Sequence, residues 1–561
     1  MSRRATTSLL LPLALGVVPG GEAAAFQATI RVSVDSAGAE ANSVSDSSCS
    51  NVDGTIIAFH SLATNLVAND TNRVDDVFVH DVSTGTTERI SVDSSGGEAT
   101  SASWMGTSAL SDDGQLVVFF SAASNFDPGD INGVSDVFLR DRAGGTTVRI
   151  SVKFSGFDSN GPSYDPAISA DGRFVCFTSL ANNLVASDTN KCADVFVRDL
   201  AAGVTERISV DSNGAEVNGA SLGSVISADG RFVAFYSDAT NLVAGDTNQR
   251  GDLFVRDRQA GTTERVSLDS QGNQANDVSQ APSISGDGNF VAFASYATNL
   301  VAADTNQCVD VFVRDRALGT TTRVSVDSSG AEVDAGSFGA VMDPGGARVA
   351  FSSLAADLVA GDTNATTDAF LHDLVTGETV RVSIDANGAE ANGPSVAASI
   401  SGNGMVVTLE SGATNLVPSD TNGVYDVFAR AACTVPATWT NYGSGFPGTL
   451  GIPSLTSQQF PSFGTTVTVD LANSYGAPTV GLLVLGFQRA SLPTKWGGDL
   501  LVLPSLIVPL TLSFGSDSFT GTIPDDLELC GVTVDLQGIE ADPGAQFGLS
   551  FSQGLELVIG N

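Results

Sequence analysis

Residues Ser227-Ala228-Asp229-Gly230-Arg231-Phe232-Val233-Ala234-Phe235-Tyr236-Ser237, followed by Asp246-Thr247-Asn248 and Asp252-Leu253-Phe254-Val255-Arg256-Asp257, decide how this chain folds. Residues 224–227 read as a strand and Asp229-Gly230 as a tight turn. Residues 231–236 form the second strand, 252–256 the third and 262–268 the fourth, with Gly261 opening the last turn. β-Branched and aromatic side chains fill the strands, while Gly, Asp, Asn and Ser separate them, as short antiparallel strands require.

The same unit recurs. Its D-x-N element begins at Asp70, Asp130, Asp188, Asp246, Asp304, Asp362 and Asp420, with most copies 58 residues apart. A fourth strand of form R-[IV]-S follows the first six copies, at Arg89, Arg149, Arg207, Arg265, Arg323 and Arg381. None follows Asp420, but Arg31-Val32-Ser33-Val34-Asp35 precedes the first full copy. A four-stranded repeat of this kind is a propeller blade. The expectation is an all-β, seven-bladed β-propeller over residues 26–431, closed by its N-terminal strand so that no sheet edge stays open at the seam. A C-terminal β-sandwich at 432–561 should follow, since there the repeats stop, Pro and Gly rise, and apolar strands appear at 480–487, 500–503 and 506–514.

Composition limits the partners. The chain has 561 residues and a formal charge of −37, with a sequence pI near 4.1 and lysine only at Lys153, Lys191 and Lys495. Such a polyanion is repelled by nucleic acid and by anionic membrane surfaces, so cations or basic partners suit it better. Arg3 and Arg4, an apolar run at 9–18 and Ala23-Ala24-Ala25 read as an export signal, to be lost with residues 1–25. The apolar run is too short to span a membrane. The mature protein is therefore expected outside the cytoplasm: secreted, periplasmic or at the cell surface. The paired arginines leave both the general secretory and the twin-arginine route open.

The S-x-D-G-R-F-V-A-F-x-S and D-V-F-V-R-D segments, at 227–237 and 310–315, resemble TolB-type, WD-repeat-like propeller repeats of secreted and periplasmic bacterial proteins. The resemblance covers about 400 residues and implies a binding platform more often than a catalyst. The long second-to-third connection, A-T-N-L-V-x-x-D-T-N, departs from it by enlarging each blade. Tyr442-Gly443-Ser444-Gly445, Ser491-Leu492-Pro493 and residues 548–560 resemble a C-terminal module recurring in secreted bacterial proteins, for which surface attachment or simple capping are both open.

In a four-strand meander the second-to-third loops and the links between blades emerge on one face. Those links follow V-D-S-x-G-x-E-x-N, as at Asp211, Glu216 and Asn218, or Asp327 and Glu332. One face should therefore be acidic in every blade. Oxygen ligands at positions 1, 3 and 7 of each loop suit a hard cation such as calcium. The candidate sets are Asp70, Asn72 and Asp76; Asp130, Asn132 and Asp136; Asp188, Asn190 and Asp194; Asp246, Asn248 and Asp252; Asp304, Asn306 and Asp310; Asp362, Asn364 and Asp368; and Asp420, Asn422 and Asp426. The alternative is structural: Asp and Asn cap the turn, and the strand aspartate pairs with a neighbouring arginine.

Other chemistry is sparse. Gly219-Ala220-Ser221-Leu222-Gly223 matches a nucleophile pattern but lacks the following helix that would expose its serine. The histidines are His60, His80 and His372, the last two expected on strand surfaces. Cys433 and Cys530 are the plausible disulfide; Cys192 and Cys308 are two blades apart, and Cys49 and Cys176 lie in strands. The favoured function is a secreted platform binding a protein, glycan or ion through its acidic face, without catalysis. The alternative is a lyase- or lactonase-type enzyme at the central channel, which should break the repeat symmetry with polar residues near one channel mouth.

Overall fold

The computed structural model describes residues 7–8, 29–153, 156–302, 304–431, 438–461, 465–496, 498–523 and 532–559. These residues form strands and turns, with no helix among them. The chain divides into two compact units, one within residues 28–432 and one chiefly within 433–561.

The first unit contains seven four-stranded antiparallel sheets, the architecture of a propeller-like fold. Sheet 1 runs Ser45–Ser50, Ile56–Ser61, Asp76–Asp81 and Thr86–Arg89. Sheets 2 and 3 begin at Ser103–Trp104 and Ser163–Ile168. Sheet 4 runs Ser221–Ile226, Phe232–Ser237, Asp252–Asp257 and Thr262–Arg265. Sheets 5 and 6 begin at Ser279–Ile284 and Ser337–Met342. Sheet 7 takes Ser395–Ile400, Val406–Ser411 and Asp426–Ala431, and its fourth strand is Ile30–Arg31, with Ile30 opposite Ala429 and Arg31 opposite Phe428.

The first strand of sheet 4 starts three residues earlier than its sequence suggests. A register shift lies between Leu222 and Val225, with Gly223 at φ 61°, so the period-two pattern is legible only beyond the bulge. The fourth strand ends at Arg265, before the expected 268, because the chain then folds back into an isolated bridge between Leu268 and Gln274.

Paired phenylalanines fill the sheets. Phe235 and Phe254 stand opposite each other in sheet 4 with ring centroids 6.0 Å apart, and both are fully buried. Burial of each such ring stabilises by about 1.5–3 kcal/mol. Between sheets the D-G turn is decisive. Gly230 has φ +70°, and a Cβ there would lie 2.1 Å from the Phe174 ring of sheet 3. The same relation recurs from sheet to sheet, including Gly54 of sheet 1 against Val406 of sheet 7, at 2.6 Å. Backbone hydrogen bonds link these turns in series: Val52 donates to Asp112, Asp112 to Ala170, Ala170 to Ala228, Ala228 to Gly286 and Gly286 to Pro344. Pro344 has no N–H to continue the series, which resumes where Asn403 donates to Val52 at 2.8 Å.

In the second unit a five-stranded sheet includes Thr479–Gly486, Leu506–Leu512, Thr533–Ala541 and Leu549–Val558. A second sheet holds Leu455–Ser457, Thr466–Ala472 and Ser516–Thr522. Leu471 and Phe519 of the latter share one apolar core with Leu485, Leu512 and Leu555 of the former, so the two sheets bury their inner faces on each other. Thr7–Ser8, inside the segment read as an export signal, lies parallel to Phe519 and Thr520. Cys433 and Cys530 fall outside the described residues; Cys49, Cys176, Cys192 and Cys308 are free thiols.

Candidate functional site

Each D-x-N loop meets the link that leads to the next sheet, and a guanidinium lies between them. In sheet 3, Arg207 Nη1 is 3.6 Å from Asp188 Oδ1, 3.5 Å from Asp194 Oδ2 and 2.7 Å from Glu216 Oε1. Glu216 comes from the link, and it also accepts the N–H of Thr189 at 2.7 Å and its hydroxyl at 2.6 Å. Loop and link thus sit on one face and are tied together there.

The arrangement repeats. Arg89 faces Asp70, Asp76 and Glu98; Arg323 faces Asp304, Asp310 and Glu332; Arg381 faces Asp362, Asp368 and Glu390. Arg31 faces Asp420, Asp426 and Glu40. Arg149 is met by Asp127, Asp130, Asp136 and Asp158, and Arg265 by Asp246 and Asp252, with Gln274 Oε1 accepting a hydrogen bond from it in place of a third carboxylate.

The three expected ligand types fare differently. The asparagine spends its amide locally: Asn190 Nδ2 donates to Asp194 Oδ2 at 2.9 Å, and its Oδ1 accepts the N–H of Cys192. Asn72, Asn132, Asn248, Asn306, Asn364 and Asn422 each donate likewise to Asp76, Asp136, Asp252, Asp310, Asp368 and Asp426. The strand aspartate is fully buried and accepts a serine hydroxyl, Ser209 to Asp194 at 2.5 Å. The first aspartate caps nothing. Asp70 and Asp130 have side chains only 2% exposed, and neither oxygen of either accepts a hydrogen bond; one oxygen each of Asp246, Asp304 and Asp420 is equally unserved.

These buried carboxyls show the strain electrostatically. Burial, and then the charge of Asp136 or Asp194, pushes Asp130 and Asp188 up to about 6 despite the adjacent arginine. Against the burial that would raise it, the Thr189 hydroxyl and N–H and then Arg207 hold Glu216 at about 2. In the cages of sheets 2, 3 and 5, one oxygen from each of three carboxylates lies within 4.8 Å of the others, close enough for a single ion to be held among them. Calcium–oxygen bonds of about 2.3–2.6 Å span that distance.

The link glutamates were not among the expected ligands. Their signal is a constant interval: nine positions separate Arg89 from Glu98, as they do Arg207 from Glu216 and Arg381 from Glu390. An isolated bridge such as Val210–Glu216 folds the link back onto the arginine.

Other expectations change. His80 and His372 are buried rather than on the surface, with Nδ1 2.8 and 2.9 Å from the hydroxyls of Thr87 and Thr379. They replace arginines such as Arg256, which donates to Thr263 Oγ1, and burial holds their pKa values down. Ser221 is fully buried and 2.9 Å from Ser237 Oγ, so it is no exposed nucleophile. A cavity of about 130 Å³ is lined by residues at the inner ends of all seven sheets, from Cys49 through Leu110 and Ile226 to Ile400, and one of about 370 Å³ by small residues such as Gly223, Ala281 and Gly339 together with Asp165. One group departs from the repeat: His60 Nδ1 lies 2.9 Å from Asp46 Oδ1 and 3.9 Å from Asp75 Oδ1, and Glu410 of sheet 7 accepts the N–H of Ser47 in sheet 1 at 2.6 Å.

No protein-family model matches the chain, and no curated protein matches it. Among solved structures, a putative TolB from Agrobacterium tumefaciens aligns at 18% identity over 50% of this chain and 80% of its own, with a TM-score of 0.32. A GH74 enzyme from Niastella koreensis aligns at 9% identity over 91% of this chain and 90% of its own, TM-score 0.23. A GH43 β-1,3-galactosidase aligns at 9% over 63% and 97%, TM-score 0.26. Among the described residues no helix is long and apolar enough to cross a membrane.

Proposed function

We propose that the seven sheets are the blades of a propeller closed by Ile30–Arg31, and that the exported protein is a platform binding a protein or glycan through its acidic face. The calcium assigned to that face sits among the carboxylates of these loop-and-link cages, where three of them converge beside the guanidinium. Closure is supported by the pairing of Arg31 with Phe428, by Gly54 against Val406 and by the bond from Asn403 to Val52. The observation that carries the cation is the orphaned aspartate: Asp70 and Asp130 bury carboxylates that no donor serves, beside one arginine outnumbered by acids. A buried carboxylate that lacks hydrogen bonds and shares one guanidinium with other acids is costly to ionise, and a hard cation lowers that cost. Seven copies of one acidic element on a ring favour multivalent contact. The C-terminal β-sandwich is the candidate for surface association.

Metal analysis of protein purified without chelator, followed by melting with and without EGTA, tests this. Retained calcium and a lower melting temperature in EGTA are expected; a metal-free protein with an unchanged melt refutes the cation. The channel-enzyme alternative has one feature in its favour, the off-repeat group Asp46, His60, Asp75 and Glu410. Saturable turnover of lactones or uronate polymers would establish it.

A further inference from the structure

The seven cages share a plan but not a charge. Among the described residues, Arg149 in sheet 2 meets four carboxylates, Asp127, Asp130, Asp136 and Asp158. Arg265 in sheet 4 meets only two, Asp246 and Asp252. The other five arginines meet three each, as Arg207 does. The excess negative charge is therefore three in sheet 2, one in sheet 4 and two elsewhere.

Gln274 explains why sheet 4 keeps its shape with less charge. Its Oε1 accepts from Arg265 at 2.6 Å and from the Thr247 N–H at 3.3 Å, and its Nε2 donates to Thr247 Oγ1 at 2.7 Å. These are the positions that Glu216 fills in sheet 3, made by a neutral amide. Sheet 2 is the opposite case. Asp130 is buried with both oxygens unserved, and Asp130, Asp136 and Asp158 place donors within 4.8 Å of one another. The fourth acid, Asp127, is about one-third exposed at 32% and lies 3.0 Å from Arg149 Nη2, drawing the guanidinium's charge away from the other three.

We propose that the cages are a graded series of calcium sites, with the Arg149 cage the tight site, the Arg207 and Arg323 cages weaker, and the Arg265 cage, with two carboxylates, holding no ion. This rests on the calcium reading of the loop face and specifies which residues set its affinity. Ligand charge count tunes calcium affinity over several decades, so one carboxylate is expected to change the dissociation constant about tenfold.

The test is calorimetric titration of the chelator-stripped full-length protein with calcium chloride. Sites are expected in the cages of sheets 2, 3 and 5, where three carboxylates converge, with that of sheet 2 the tightest. Asp127→Asn, which retains an oxygen acceptor for the Gly129 N–H, should weaken the tight site about tenfold and leave the others unchanged. Gln274→Glu should add a further site. Melting in EGTA at the wild-type temperature, within a degree or two, confirms that both variants fold. No calcium uptake by any form would refute the calcium reading itself. Sites of equal affinity in the wild type, or a count unmoved by Gln274→Glu, would overturn the grading while leaving calcium binding intact.

Discussion

Glu410 makes a sharp test of electrostatics at the junction of sheets 7 and 1. Its carboxyl accepts the Ser47 N–H at 2.6 Å, and burial followed by the charge of Asp46 pushes its pKa from 4.5 to about 7. The folded protein thus keeps a proton through a range where the unfolded chain has lost it. The stabilisation is fully present below pH 4.5 and is lost as pH rises through 7. The rise from 4.5 to about 7 corresponds to about 3 kcal/mol. Glu410→Gln retains an oxygen for Ser47 and cannot ionise, so it avoids this loss. Unfolding entropy of about 2.1 cal/mol/K per residue, over the roughly 400 residues of this unit, converts 3 kcal/mol into about 3–4 °C. The assay is melting of both proteins from pH 5 to pH 8 at constant EGTA. The variant should gain on the wild type by about 3–4 °C across that range. A difference independent of pH, or one shrinking as pH rises, would refute the assignment of a buried proton to Glu410.

Gly230→Ala should destabilise by about 2–5 kcal/mol in chemical denaturation, since its Cβ would enter the Phe174 ring at φ +70°, whereas Gly214→Ala, at φ +79° with open space around it, should cost only about 1–2 kcal/mol. Arg207→Met strands buried Asp188 and Asp194 and should cost about 3–5 kcal/mol in EGTA, measured by urea unfolding, with added calcium recovering part of it. Burial pushes the thiols of Cys49 and Cys176 up to about 12 and about 11, so iodoacetamide at pH 8 should leave both unlabelled in peptide mapping of the native protein while the half-buried Cys192 and Cys308 react.

The sheets were legible because the repeat shows the same alternation several times over, so that local irregularities average out. Phe232–Ser237 and Asp252–Asp257 lie within one residue of their expected ends. The bulge after Leu222 was not legible, since an extra residue erases the period on which strand reading depends. The buried state of His80 and His372 was hidden for a related reason. Arginine at the same position suggests solvent, yet Arg256 and Arg314 turn their guanidinium groups against the preceding link, where they donate to the Asp211 and Asp269 carbonyls.

The cages show where repetition helps and where it misleads. Spacing within the loop drew attention to Asp188, Asn190 and Asp194, but the third partner, Glu216, arrives from a different segment, and the asparagine serves as a clamp. A local pattern cannot reveal which segment folds back on it; the constant interval of nine from arginine to glutamate can, because it contains the return bridge, such as Val210–Glu216. Once the shared plan is known, its exceptions become informative. A cage must bury its arginine and tie loop to link in every sheet, which Gln274 does as well as Glu216. What Gln274 gives up is charge alone, and what Asp127 adds is a charge beside Arg149 together with an acceptor for the Gly129 N–H. Substitutions that leave the scaffold intact and alter its electrostatics are those expected where sheets of one plan have unequal affinities for a cation.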